Sequence, residues 1–81
     1  MNPRPIKVKA LDNYFLLITF SNYEKKIFDV KPLLKYPMFK PLENKGLFLL
    51  AKTDGMTVYW NDDIDICPDE LYLKGQIYNY V

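Results

Sequence analysis

Histidine is absent from this chain, and cysteine and tryptophan each occur once among its 81 residues. Without histidine, the chain lacks the commonest zinc ligand and the commonest general base, which excludes histidine-dependent metal sites and catalytic triads. A single cysteine excludes an internal disulfide, and a free thiol is typical of a reducing compartment. We therefore expect a cytoplasmic protein with no metal, no cofactor and no catalytic residues.

Long hydrophobic runs and an excess of one charge are also missing. No apolar run approaches the roughly 20 residues that cross a bilayer. The segment MNPRPIKVK lacks the apolar core of a signal peptide. Eleven Lys and Arg residues oppose ten Asp and Glu residues, which gives a net charge of +1. We expect no membrane association and no global electrostatic attraction to nucleic acid.

Apolar and aromatic side chains are abundant for so short a chain, at 49% and 16% of the residues. A chain of this length forms one domain, residues 1–81, with a thin core. Domains below about 80 residues often rely on a disulfide, a metal or a partner subunit. Because neither a disulfide nor a metal is expected, we predict binding to a partner protein or to a second copy of the chain.

The first half of the chain has the pattern of three strands. Ile6 to Leu11 alternates apolar and charged residues, which is typical of a strand with one solvated face. Tyr14 to Phe20 is apolar on both faces and is predicted to be the central strand. Glu24 to Val30 returns as a third strand, and the turns between them are Asp12-Asn13 and Ser21-Asn22.

The second half combines short helices with further strands. Pro32, with Asp29 as a capping residue, predicts one or two helical turns, and Pro41 to Phe48 predicts another short helical segment. Pro68 begins a final helix that Gly75 ends. The predicted fold class is α+β: an N-terminal three-stranded antiparallel meander, short helices, two or three further strands and a short C-terminal helix.

The stretch WNDDIDICPDELY, from Trp60 to Tyr72, holds five carboxylates and the cysteine. A calcium loop is disfavoured because Cys67, a soft ligand, occupies the third ligand position and the required glycine is missing. Asp63 and Asp65 fit the solvated face of a strand instead. We interpret Cys67 as a small buried residue at the strand end. An enzyme that uses Cys67 and these carboxylates is the least favoured hypothesis.

Aromatic side chains in the last third of the chain are the candidates for a partner interface. Trp and Tyr are enriched at the energetic centres of interfaces, and the candidates are Trp60, Tyr72, Tyr78 and Tyr80. For Trp60, a place in the core with its N–H satisfied is the preferred interpretation. The tail from Gln76 to Val81 is expected to form a short strand or a docked end, or to add a strand to a neighbour.

A basic strip near the N-terminus gives an alternative function, nucleic-acid binding or transcription regulation. Its candidate contact residues are Arg4, Lys7, Lys9 and Lys25. Lys7 and Lys9 alternate along one face of the first predicted strand, and Lys25 lies on the third. The competing interpretation is a solvated sheet face whose lysines guard the edges against aggregation.

The order of three segments resembles the domain of unknown function 2442 family. The segments are PRPIKVKALDNYFLLITFSN, KIFDVKPLL and TVYWNDDIDICPDELY, and the resemblance spans about residues 3–73. It implies an α+β fold, bacterial or phage origin and no established activity. Where the family usually has glycine in the second hairpin, this chain has Tyr23, which disfavours positive φ. We expect Asn22 to adopt the left-handed conformation, or the loop to be wider.

The leading hypothesis combines these observations: a non-enzymatic protein-interaction module that occludes a partner's surface with its sheet edge or its aromatic C-terminal region. The resemblance implies an antitoxin-like role, because members of the family are often encoded beside a small protein thought to be toxin-like. The expected partner is therefore a toxin-like neighbour or a second copy of the chain.

Overall fold

Twelve short elements follow one another along residues 2–78, which the computed structural model describes. The strands and α-helices are β1 (Pro5–Ala10), β2 (Phe15–Phe20), β3 (Lys25–Asp29), α1 (Lys45–Phe48), β4 (Lys52–Thr53), β5 (Val58–Asn61), β6 (Ile64–Ile66), α2 (Pro68–Lys74) and β7 (Gln76–Ile77). The 3₁₀ segments are Asp12–Tyr14, Lys31–Leu33 and Pro37–Glu43. The α+β prediction is confirmed.

The predicted meander forms one sheet, in the order β1-β2-β3-β7, and a second sheet has the order β4-β5-β6. β7 pairs antiparallel with β3, so the tail forms the expected short strand at Gln76–Ile77. Over these two residues it pairs within its own chain and forms one edge of the first sheet. Residues 79–81 of the tail, with Tyr80, lie outside the described residues.

The core lies on one side of the first sheet. Alternate residues of β2, Leu16, Ile18 and Phe20, are fully buried, because successive side chains of a strand point to opposite faces. They pack with Phe28 of the neighbouring strand β3 and with buried residues of the second sheet and both α-helices, which are Val58, Trp60, Ile64, Ile66, Phe48 and Leu71. Val30 and Leu42, from the segments between β3 and α1, complete the core. The other face of β2 carries the half-buried Phe15, Leu17 and Thr19.

Short polar contacts fix the ends of the helical segments. The Asp29 carboxylate accepts a hydrogen bond from the Lys31 backbone N–H at 2.9 Å, at the start of the segment Lys31–Leu33, whose N-cap residue is Val30 and has no side-chain capping bond. The Asn44 side chain caps α1 by accepting from the Leu47 N–H at 3.1 Å. Pro41 to Phe48, predicted as one helical segment, is divided at Asn44 between a 3₁₀ segment and α1.

Two turns adopt conformations that the sequence did not predict. Positive φ occurs at Asn13 (66°) and Tyr14 (65°), so the first turn extends one residue past Asp12-Asn13. In the second, Tyr23 adopts φ 68° and Asn22 does not, which corrects the expectation for Asn22. The Asn22 side chain instead accepts a hydrogen bond from the Glu24 N–H at 3.1 Å.

Replacing Tyr23 with glycine is expected to raise the free energy of unfolding by about 0.5–1 kcal/mol. The tyrosine side chain is 82% exposed, so its loss removes little packing, while the strain of its positive φ is relieved. Urea denaturation measures the change. Tyr36→Gly is the matched control, because Tyr36 is also exposed but has φ −88°, and it should lower stability. Equal losses for both variants would show that Tyr23 carries no strain.

Candidate functional site

The first sheet has a second face, opposite the side that packs on the core, which we call the outer face. Its side chains lie opposite the buried face of β2 and are aligned by strand register. One row across the sheet is Lys7, Thr19 and Lys25. The next row is Lys9, Leu17, Ile27 and Gln76, and the last is Phe15 and Asp29. Phe15, Leu17 and Ile27 form a half-buried apolar strip across its centre.

Exposed lysines lie beside this apolar strip, towards one margin of the sheet. Lys7, Lys9 and Lys25 are exposed, and none of them belongs to an ion pair among residues 2–78. The one acidic side chain in the aligned rows, Asp29, is paired with Lys31 at 3.1 Å. The positive charges that are not neutralised within the described chain therefore dominate the outer face.

Lys31 also holds the ring of Phe15. Its ammonium lies 4.0 Å from the ring centroid, within cation–π distance. The same ammonium donates a hydrogen bond to the Asn13 carbonyl at 2.9 Å. These contacts, together with the Asp29 ion pair, cover one side of the ring and fix its place at the margin of the strip.

A depression of about 290 Å³ opens beside Phe15 on the outer face. Its lining residues are Phe15, Ile27, Asp29, Lys74 and Gln76. The apolar side chains come from neighbouring strands of the meander, whereas Lys74 ends α2 and Gln76 begins β7. The depression therefore depends on the return of the C-terminal segment to β3.

The predicted basic strip is brought together only in part. Lys7 and Lys25 lie on either side of Thr19 across three strands, and Lys9 is two residues along β1. Arg4 precedes β1, and its guanidinium donates to the Met56 sulfur at 2.8 Å, in the turn between β4 and β5. The side chain of Arg4 is thus used in a contact with the second sheet.

The predicted aromatic interface is not assembled as one surface. Trp60 is 4% exposed, and its indole N–H donates to the Phe48 carbonyl at 2.8 Å, which confirms the core interpretation and corrects its candidacy as an interface residue. Tyr72 is half-buried, with its ring edge-on to Phe20 at 5.0 Å. Tyr78 is half-buried and its backbone N–H donates to the Lys25 carbonyl at 3.0 Å.

Tyr72 joins α2 to the meander. Its hydroxyl donates a hydrogen bond to the Glu24 carboxylate, and Lys26 donates to the Tyr72 carbonyl at 2.6 Å with its ammonium 3.7 Å from the ring centroid. The hydrogen bonds from Tyr72 and then Asn22 lower the pKa of Glu24. The same carboxylate raises the pKa of the Tyr72 hydroxyl.

This contact predicts an acid-sensitive contribution to stability. The pKa of Glu24 is lower in the folded protein than its ordinary value of 4.5. The stabilisation from this contact is therefore fully present above pH 4.5 and is lost as the pH falls through the lower pKa of the folded state. We expect Tyr72→Phe to be less stable than wild type at neutral pH and the difference to shrink below about pH 4.5. Thermal denaturation across pH measures it. A constant difference would contradict the link to Glu24.

Cys67 is exposed, so the predicted burial of this residue is wrong. It follows β6, in which Ile64 and Ile66 are buried and Asp65 is exposed, so the same alternation turns Cys67 outward. The sequence held this signal, because the alternation that exposes Asp65 continues through Cys67. Within residues 2–78, no group of three or more His, Cys, Asp or Glu side chains is arranged to hold a metal ion.

The segments that carry the family resemblance meet in three dimensions. Leu33, from KIFDVKPLL, lines a depression of about 230 Å³ together with Asp65, Ile66 and Cys67, from the WNDDIDICPDELY stretch.

The described helices include none that is long and apolar enough to cross a membrane.

One of three comparisons with known proteins gives a match. No curated protein and no solved structure matches the chain. A family model described as "Protein of unknown function (DUF2442)" matches residues 5–76, which is nearly the whole chain and includes all seven strands apart from the last residue of β7. The chain therefore belongs to the DUF2442 family.

Proposed function

We propose that this chain is a non-catalytic protein-interaction module that binds one partner protein through the outer face and covers part of that partner's surface, in the manner of an antitoxin. The observation that carries the proposal is the half-buried apolar strip of Phe15, Leu17 and Ile27, which lies on the side of the sheet away from the core and has exposed lysines beside it.

The composition of the outer face supports this proposal on physical grounds. An apolar surface rimmed by polar groups is one feature of protein interaction sites. Interfaces commonly combine an apolar centre, which supplies affinity, with a charged rim, which orients the partner and speeds association. Leu17 lies at the centre of the aligned rows, and Lys7, Lys9 and Lys25 lie towards one margin.

Co-expression of the tagged chain with the products of its neighbouring genes tests the proposal. We expect a stoichiometric complex on co-purification and light scattering. Leu17→Glu should abolish the complex, because it places a carboxylate in the apolar strip. Leu50→Glu is the matched control, since Leu50 is 58% exposed and lies beyond α1, away from the outer face. A wild-type chain that elutes alone, or a complex that Leu17→Glu leaves intact, would contradict the proposal.

Nucleic-acid binding is the second candidate, favoured by the alignment of Lys7 and Lys25 across three strands with Lys9 beside them. If the three lysines contact three phosphates of a single strand, the logarithm of the binding constant should fall linearly as the logarithm of the salt concentration rises, with a slope of about −2. The test is a salt titration of binding to single-stranded and double-stranded DNA and to RNA. Absent or salt-insensitive binding would remove this candidate.

A further inference from the structure

We propose that the partner segment that occupies the outer face is acidic and carries one large apolar side chain, which enters the depression beside Phe15 while flanking carboxylates meet Lys7, Lys9 and Lys25. This inference rests on the proposed function and specifies the chemistry of the partner.

The depression is a candidate anchor site for one side chain, with two apolar and three polar residues in its lining. Its volume of about 290 Å³ is just below the roughly 300–1,000 Å³ of sites that hold a whole small molecule. Phe15 and Ile27 give it apolar walls, and Asp29 and Lys74 lie at its polar margin. Both charged groups already have partners, Asp29 with Lys31 at 3.1 Å and Lys74 with Glu70 at 3.4 Å. An apolar side chain can therefore enter without leaving either charge unpaired.

The charges beyond the depression define the rest of the segment. Lys7 and Lys9, two residues apart on β1, have Cα atoms about 7 Å apart, and Lys25 lies two strands away, about 10 Å from Lys7. Because Asp29 is neutralised by Lys31, carboxylates approaching this surface meet uncompensated positive charge. A partner with acidic residues at alternate positions of an extended segment matches the spacing along β1.

A protein segment fits this surface better than a single-stranded nucleic acid. Binding of single strands relies on bases that stack on exposed aromatic rings. Among the aligned residues of the outer face, Phe15 is the aromatic one, and the Lys31 ammonium already lies 4.0 Å from its ring centroid. Stacking on that side would displace Lys31 from both Asp29 and the Asn13 carbonyl. Leu17 and Ile27 provide apolar contact area that suits aliphatic and aromatic side chains of a protein.

Selection from a library of short random peptides displayed on phage, with the full chain immobilised, tests the inference. We expect the selected peptides to be rich in Asp and Glu and to share one Phe, Trp or Leu. Fluorescence anisotropy of a selected peptide should show at least about a tenfold weaker affinity, or 1.4 kcal/mol, for Ile27→Asp and for the triple variant Lys7→Glu, Lys9→Glu, Lys25→Glu. Circular dichroism confirms that each variant is folded.

The matched control is a triple charge reversal at the exposed lysines 35, 45 and 52, outside the outer face, which should leave peptide affinity within about twofold. Selected peptides without acidic residues, no selected peptide, or equal losses in both triple variants would overturn the inference. Tight binding of single-stranded oligothymidylate that competes with the peptide would assign the face to nucleic acid instead. If the partner still co-purifies in a Leu17-dependent manner while acidic peptides fail to bind, the inference fails and the proposed function stands.

Discussion

Phe48→Ala is expected to lower the free energy of unfolding by about 3–5 kcal/mol, as for other buried aromatic residues. Phe48 is 1% exposed, and its ring centroid lies 4.9 Å from that of Tyr14 and 6.1 Å from that of Trp60. The substitution opens a cavity between the meander and the second sheet. A small domain of marginal stability would lose most of its folded population.

The experiment uses the single tryptophan as its probe. Trp60 is buried and its indole N–H donates a hydrogen bond to the Phe48 carbonyl. Its fluorescence therefore reports the unfolding of the core around Phe48 during urea denaturation. Leu50→Ala is the control, because Leu50 is 58% exposed two residues further along the chain, and it should change stability by less than about 0.5 kcal/mol. If the two variants lose similar stability, Phe48 is not a principal contact of the core.

The meander could be predicted because its information is local. Alternation in β1 and turn residues after β1 and β2 specify strand order without knowledge of the rest of the chain. The same alternation placed Lys7 and Lys9 on one face, and the register then added Lys25. The prediction for the second turn was wrong. The Asn22 side chain accepts a hydrogen bond from the Glu24 N–H, and Tyr23, not Asn22, adopts the left-handed conformation.

The candidate anchor site was beyond prediction because its parts are distant in the sequence. β2 is apolar on both faces, so its composition did not reveal that Leu16 would be buried and Leu17 would face outward. The wall of the depression that Gln76 forms exists only because β7 pairs with β3. A two-residue segment such as Gln76–Ile77 carries too little pattern to specify such a pairing.

Gly75→Ala is expected to separate β7 from β3, with a loss of about 1–3 kcal/mol from overpacking. A Cβ atom at this position would lie 2.6 Å from the Leu71 carbonyl oxygen and 3.1 Å from Lys26 Cβ. The first contact is with helix backbone and the second with the stem of a strand residue, so neither can yield without moving α2 or β3. The end of α2 must therefore shift, and Gln76 with it.

Hydrogen exchange measures this separation, because the Tyr78 N–H is bonded to the Lys25 carbonyl at 3.0 Å and should lose protection in Gly75→Ala. Gly55→Ala is the control. Gly55 has φ 87°, but an added methyl group would have no atom within 4 Å beyond its chain neighbours, so this variant is strained in its own turn and should leave Tyr78 protected. Unchanged protection in Gly75→Ala would show that the close contact does not hold β7 in place. Loss of protection together with weaker binding of the acidic peptide would tie the anchor depression to the pairing of β7, since Gln76 forms its wall.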